Sequence, residues 1–82
     1  KGYKMEAIIH LKHSTYSGYG LLINRITYLS KFGYNNKMKE YYFDIGYDSL
    51  EFSKFTLSFN DEDEADEERK RILEKINKFL KK

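Results

Sequence analysis

Eighty-two residues with a net charge of +2 predict one domain over residues 1–82, with a single modest core, since a chain this short buries roughly 60% of its unfolded surface. Seven Ile, eight Leu, six Phe and eight Tyr can fill that core, but an enclosed cleft of enzyme size is hard to build from them, which favours a binding face over catalysis. The lack of Cys excludes disulfides, thiolate chemistry and Cys-ligated metal; no apolar run approaches the length of a membrane-spanning helix, and the expectation is a cytoplasmic protein with no cofactor and no metal.

The charge is unevenly placed. Residues 1–39 carry seven Lys or Arg against the single acid Glu6, whereas residues 40–82 carry eight bases against twelve acids. The first part is therefore about +6 and the second about −4, an asymmetry that bears on partners.

From Lys4 to His13 apolar and polar residues alternate, with Met5, Ala7, Ile9 and Leu11 on one side and Ile8 the exception. Period two predicts a half-buried strand. Ser14 to Gly20 is a loop of Ser, Gly and Tyr. Residues 21–33 fit two patterns. Tyr19, Leu22, Ile23, Ile26 and Leu29 share one helical face, and Gly33 suits the left-handed position after a helix, with Leu29 and Tyr34 in contact across the cap. A helix from about Ser17 to Phe32 is the reading adopted, its first turn weakened by Gly18 and Gly20.

Tyr34 to Lys37 is a turn, and Lys39 to Ile45 alternates as a second strand. Gly46 to Ser49 reads as a hairpin loop. Leu50 to Phe59 reads as a third strand with a phase fault: Leu50 and Phe52 fall on one side, Phe55, Leu57 and Phe59 on the other. A bulge near Ser53–Lys54 would reconcile them. Asn60 or Asp61 then caps a helix whose apolar face holds Ala65, Ile72, Leu73, Ile76, Phe79 and Leu80. Acids at its start and lysines at its end match the helix dipole. Asp66 with Lys70 and Glu67 with Arg71 stand at i,i+4 spacing. The order β-α-β-β-α predicts a small α+β domain, a three-stranded sheet with two helices on one face. If residues 21–32 are extended, the fold is a four-stranded antiparallel meander with one C-terminal helix.

No motif carries a recognisable chemistry. His10 and His13, three apart on a strand, point to opposite faces and cannot share a metal. His13-Ser14-Thr15 fits the His-x-Thr pattern of two-histidine phosphoesterases, which requires a second copy, and His10 does not supply one. Gly18-Tyr19-Gly20 before a helix suggests an anion cradle but lacks the rest of a nucleotide fingerprint. The acids from Asp61 to Glu68 lack the glycine and spacing of a calcium loop and read as a solvated helix start.

The expected role is that of a small non-enzymatic protein-binding module, an accessory subunit or an inhibitor of the kind mobile elements encode. Its contacts are assigned to Tyr16, Tyr19, Arg25, Tyr28 and Lys31, because Tyr gives large contact area at low entropy cost. The alternative is a nucleic-acid-binding domain using Lys4, Lys12, Arg25, Lys31, Lys37, Lys39 and Tyr42 as phosphate contacts and a stacking ring. Neither a membrane nor a metal is an expected partner.

Overall fold

The computed structural model describes residues 8–12 and 18–80. Strand β1 (Ile8–His10) pairs antiparallel with β2 (Gly20–Leu22), setting Ile9 opposite Leu21 and His10 opposite Gly20. The ladder runs on, with the Leu11 N–H donating to Tyr19 O at 2.9 Å and the Gly18 N–H to Leu11 O at 3.0 Å. Gly18, at φ +88°, supplies the left-handed residue on entry to β2. Ile9 and Leu11 are buried while Ile8 and His10 face out, which is the expected alternation. The rest of that predicted strand, residues 4–7 and 13, lies outside the described residues.

The helix predicted over 17–32 is absent from the described residues 18–32. After β2 the chain makes a 3-10 turn (Ile23–Arg25), then β3 (Ile26–Leu29) and β4 (Gly33–Asn35). The turn, and a register irregularity between Ile26 and Tyr28, each shift the phase of the alternation. Two shifts in an extended segment mimic the spacing of a helical face, which is why Tyr19, Leu22, Ile23, Ile26 and Leu29 read as one. Ile23, Ile26, Thr27 and Tyr28 prefer the pleated state on side-chain grounds, and tertiary pairing settles the matter. Gly33 is no helix terminator; it sits within β4 opposite Tyr42.

Strand β5 (Glu40–Tyr47) is the centre of the sheet and β6 (Lys54–Phe59) runs antiparallel along one edge, from Tyr41 opposite Phe59 to Gly46 opposite Lys54. The other edge of β5 takes β3 at one end, with Leu29 opposite Ile45, and β4 at the other, with Tyr34 opposite Tyr41. Between them the chain bends at Ser30, yet the row is not broken. The Ser30 N–H donates to Asp44 O at 2.9 Å, and Ser30 Oγ accepts from the Asp44 N–H at 2.8 Å. A side-chain hydroxyl thus takes the place of a backbone carbonyl and keeps both Asp44 groups paired.

Helix α1 (Glu62–Leu80) packs on β5 and β6. Asp61 caps it, its Oδ2 accepting from the Glu64 N–H at 3.3 Å. Ala65 and Ile72 are buried, with Ile76 and Phe79 packed at the rim; Leu73 and Leu80 face out, narrowing the predicted apolar stripe. The core joins Ile9, Leu11, Leu21 and Ile23 to Phe43, Ile45, Phe55, Leu57 and Ile72. Over the described residues the fold is therefore α+β, with a four-stranded antiparallel sheet, a separate antiparallel β1–β2 pair and one C-terminal helix. Of the two predicted architectures the meander with one helix fits better, and the three-stranded sheet under two helices is set aside.

Three side chains of α1, Glu68, Arg69 and Arg71, fasten the helix to the rest. Glu68 is buried, accepting from Arg71 Nε at 2.8 Å and Arg71 Nη2 at 2.7 Å, while the Lys12 N–H reaches it at 3.4 Å. The same Arg71 Nη2 donates to His10 O at 2.8 Å. The predicted partner of Arg71 was Glu67, one residue away; burial selects Glu68, because only that carboxylate faces the β1–β2 pair. Asp66 and Lys70 do pair, at 3.0 Å. Arg69 donates from Nε to Ser30 O at 2.7 Å and stands over the Phe32 ring, fixing the β3–β4 bend.

Candidate functional site

Exposed aromatic and apolar side chains gather in two places. The first is the end of the molecule where the β5–β6 loop meets β2. Phe55 is the hub there, with ring centroids of Phe52 at 5.0 Å, Tyr47 at 5.6 Å and Tyr19 at 6.2 Å. Phe55 is buried, but Tyr19 is 46% and Phe52 40% exposed, and Leu50 at the loop tip is fully exposed. The loop is anchored at its base. Arg25 Nη1 donates to Asp48 O at 3.1 Å, the Asp48 N–H donates to Arg25 O at 2.8 Å, and the Tyr47 N–H donates to Ser53 O at 2.9 Å. Tyr47 Oη in turn accepts from the Leu22 N–H at 3.1 Å.

The second place is the sheet face opposite α1. Residues paired across strands share a face, so Tyr28, Gly46 and Lys54 form one row across it, and Gly33, Tyr42 and Ser58 another. A Cβ on Gly46 would stand 2.2 Å from the Tyr28 ring, and one on Gly33 would stand 2.3 Å from Tyr42 Cζ. Both tyrosines therefore lie down across the sheet in the space a side chain would fill. Between the two rows Thr56 donates to Asp44 Oδ1 at 2.5 Å, and Lys54 Nζ lies 3.8 Å from Asp44 Oδ2. A shallow groove of about 450 Å³ opens beside Tyr42, bordered by Asn35, Asn36, Lys37, Thr56 and Ser58.

The β4–β5 turn forms the rim of that groove and is held rigidly. Asn35 Oδ1 accepts from the Lys37 N–H at 3.0 Å and the Met38 N–H at 3.1 Å, and the Lys39 N–H donates to Asn35 O at 2.6 Å. Lys39 takes φ +56°, a left-handed conformation that costs a non-glycine residue about 1 kcal/mol or more. Lys39→Gly is accordingly expected to raise stability by about 1 kcal/mol, less the unfolded-state entropy glycine brings. Denaturant titration measures this; a lower unfolding midpoint would show that the Lys39 side chain is itself needed for the turn.

The sequence-predicted residues divide between these places. Tyr19 and Arg25 belong to the Phe55 end, Arg25 as the anchor of its loop. Tyr28, Tyr42 and Lys37 belong to the sheet face, and Lys31 and Lys39 are exposed along the same β3–β4 row and its turn. Lys12 is exposed on the β1–β2 pair beside α1, apart from both, and Lys4 and Tyr16 lie outside the described residues. His13, with the His-x-Thr pattern, lies outside them as well. Gly18-Tyr19-Gly20 leads into β2 and not into an α-helix, so an anion cradle there would have no α-helix terminus to draw on.

Leu50 and Phe52 were not picked out from the sequence. The signal for both was the phase fault in 50–59. It marks no bulge: β6 begins at Lys54, and both residues stand outside the strand. Gly46, read as the start of a loop, is within β5 beneath Tyr28.

Among the described residues no group of three or more His, Cys, Asp or Glu could hold a metal ion, and no helix is long and apolar enough to cross a membrane. No family model matches this chain, and neither do any curated proteins or solved structures.

Proposed function

We propose that the protein is a non-enzymatic binding module that engages another protein through the end formed by Tyr19, Leu50 and Phe52. The observation that carries this reading is Leu50, a large aliphatic side chain fully in solvent two residues before Phe52, which with Tyr19 forms a half-exposed pair of rings on the Phe55 hub. Contiguous exposed apolar surface of this kind marks interaction sites. Energetic anchors at interfaces are typically aromatic residues in rigid, well-packed settings, and the Arg25–Asp48 hydrogen bonds supply the rigidity. The partner is expected to present an apolar pocket that takes the Leu50 tip.

A photo-crosslinking residue at position 50, expressed in cells, should give one discrete protein adduct that is absent when the same probe stands at Glu74 on α1. In competition with unlabelled protein, Phe52→Ala should weaken that contact by about 1–3 kcal/mol. Equal labelling at both positions, or a contact indifferent to Phe52, would sink the reading.

A further inference from the structure

The sheet face opposite α1 has features the first reading does not use. Tyr28 over Gly46 and Tyr42 over Gly33 are two aromatic rings laid down on one open face. Positions 46 and 42 on β5 are four residues apart, which places the two rows about 13 Å from each other along the strand. The chain that forms this edge, residues 26–39, contains Lys31, Lys37 and Lys39 and no acid. On β5 itself Asp44 is already engaged by Lys54 and Thr56, and Glu40 at the start of the strand is the other acid on this face, so that Lys31, Lys37, Lys39 and Lys54 outnumber the acids there. Beside Tyr42 the groove is bordered by amides, hydroxyls and one lysine. Its rim is a turn fixed by the Asn35 side chain, in which Lys39 tolerates a left-handed backbone. Backbone strain that the surroundings hold in place tends to cluster at ligand sites.

We propose that this face binds single-stranded nucleic acid, with bases stacked on Tyr28 and Tyr42 and phosphates held by Lys31, Lys37 and Lys39. Sequence-tolerant binders of single strands combine these two parts, aromatic platforms and a cationic track. Charge complementarity selects a polyanion, and the flat rings select one that carries planar groups. Duplex is disfavoured because its bases are not free to stack on the rings.

The test is fluorescence anisotropy with labelled oligothymidylate and oligouridylate of about twelve nucleotides. The full chain is titrated in at salt concentrations from about 50 to about 200 mM. Single strands should bind more tightly than a duplex of equal length, and affinity should fall as salt rises. Tyr28→Leu keeps a side chain over Gly46 but has no ring face, and should weaken binding about fivefold or more. Lys37→Ala combined with Lys39→Gly should lower the log–log salt slope by about 1.4, at 0.7 per lysine. Denaturant titration of the same double variant, expected to be no less stable than the wild type, separates a loss of affinity from unfolding. The proposal is overturned by no binding at the lowest salt, by duplex binding as tight as single-strand binding, or by affinity indifferent to Tyr28. Heparin bound more tightly than either oligonucleotide would also overturn it, marking the face as a site for anionic polysaccharide.

Discussion

Replacing Phe43 with alanine is expected to cost about 3–5 kcal/mol, the usual range for removing a buried phenyl ring. Phe43 is fully buried at the middle of β5, opposite Leu57 on β6. Its ring stacks on Phe59 at 5.9 Å and meets the edge of Phe32 at 6.3 Å, so one side chain joins the central strand, β6 and the β3–β4 bend. Small domains hold a net stability of only about 5–15 kcal/mol, and a loss of this size brings the variant close to unfolding at room temperature. Phe43→Leu keeps most of the apolar volume and should cost much less, roughly 1–1.5 kcal/mol. Urea titration followed by far-UV circular dichroism separates the two. A loss under about 1 kcal/mol for the alanine variant would mean that the core closes over the vacated space and that Phe43 is not its organising residue.

The position of Phe43 was legible from the sequence, because residues 39–45 alternate cleanly and nothing interrupts them. Ile9, Leu11 and the α1 residues Ala65, Ile72 and Ile76 were legible for the same reason: an unbroken period of two or of 3.6 reports which side faces the core. Residues 21–32 were not legible. Their alternation is broken by a 3-10 turn and then by a register irregularity, and the partner of β3 is β5, with Leu29 opposite Ile45 sixteen residues along the chain. Local periodicity holds no trace of such pairing.

The candidate surfaces show the same division. Tyr28 and Tyr42 could be named as exposed aromatics, but their common face, and the glycines that let them lie flat, follow from registers set by long-range ladders. Leu50 and Phe52 were hidden by a reasonable inference, since two apolar residues out of phase with a strand look like the result of a bulge. Arg71 was assigned the wrong acid because i,i+4 spacing is a rule for solvated helices. A pair of strands packed on one side of the helix favours whichever carboxylate points toward it.

That contact gives the second large effect. Glu68→Ala is expected to cost about 2–3 kcal/mol, the range for losing hydrogen bonds to a buried charged group. It removes the acceptor of both Arg71 donors and of the Lys12 N–H, leaving Arg71 held only by His10 O. Burial pushes the Glu68 carboxyl toward a higher pKa, but the hydrogen bonds and charge of Arg71, aided by Lys12, outweigh it and hold the pKa below its ordinary 4.5. The Arg71 pKa moves up in response, chiefly through the Glu68 hydrogen bond. A carboxyl whose pKa is lower in the folded than in the unfolded chain contributes its stability above the unfolded value, and that contribution fades as pH falls through the folded one. The ion pair should therefore hold α1 against the β1–β2 pair at neutral pH and release its share below about pH 4.5. Glu68→Gln keeps the shape of the side chain and cannot titrate. Between about pH 6 and about pH 3 the wild type should lose more unfolding free energy than this variant, by an amount that reports the Glu68 contribution alone. Hydrogen exchange at the Ile9 and Leu21 amides should speed up in the alanine variant more than exchange at Phe43, because the β1–β2 pair loses its tie to the helix while the four-stranded sheet keeps its ladders. Equal acid sensitivity of wild type and Glu68→Gln would show that the clamp is carried by packing of Ile9, Leu11 and Ile72 rather than by the buried charge.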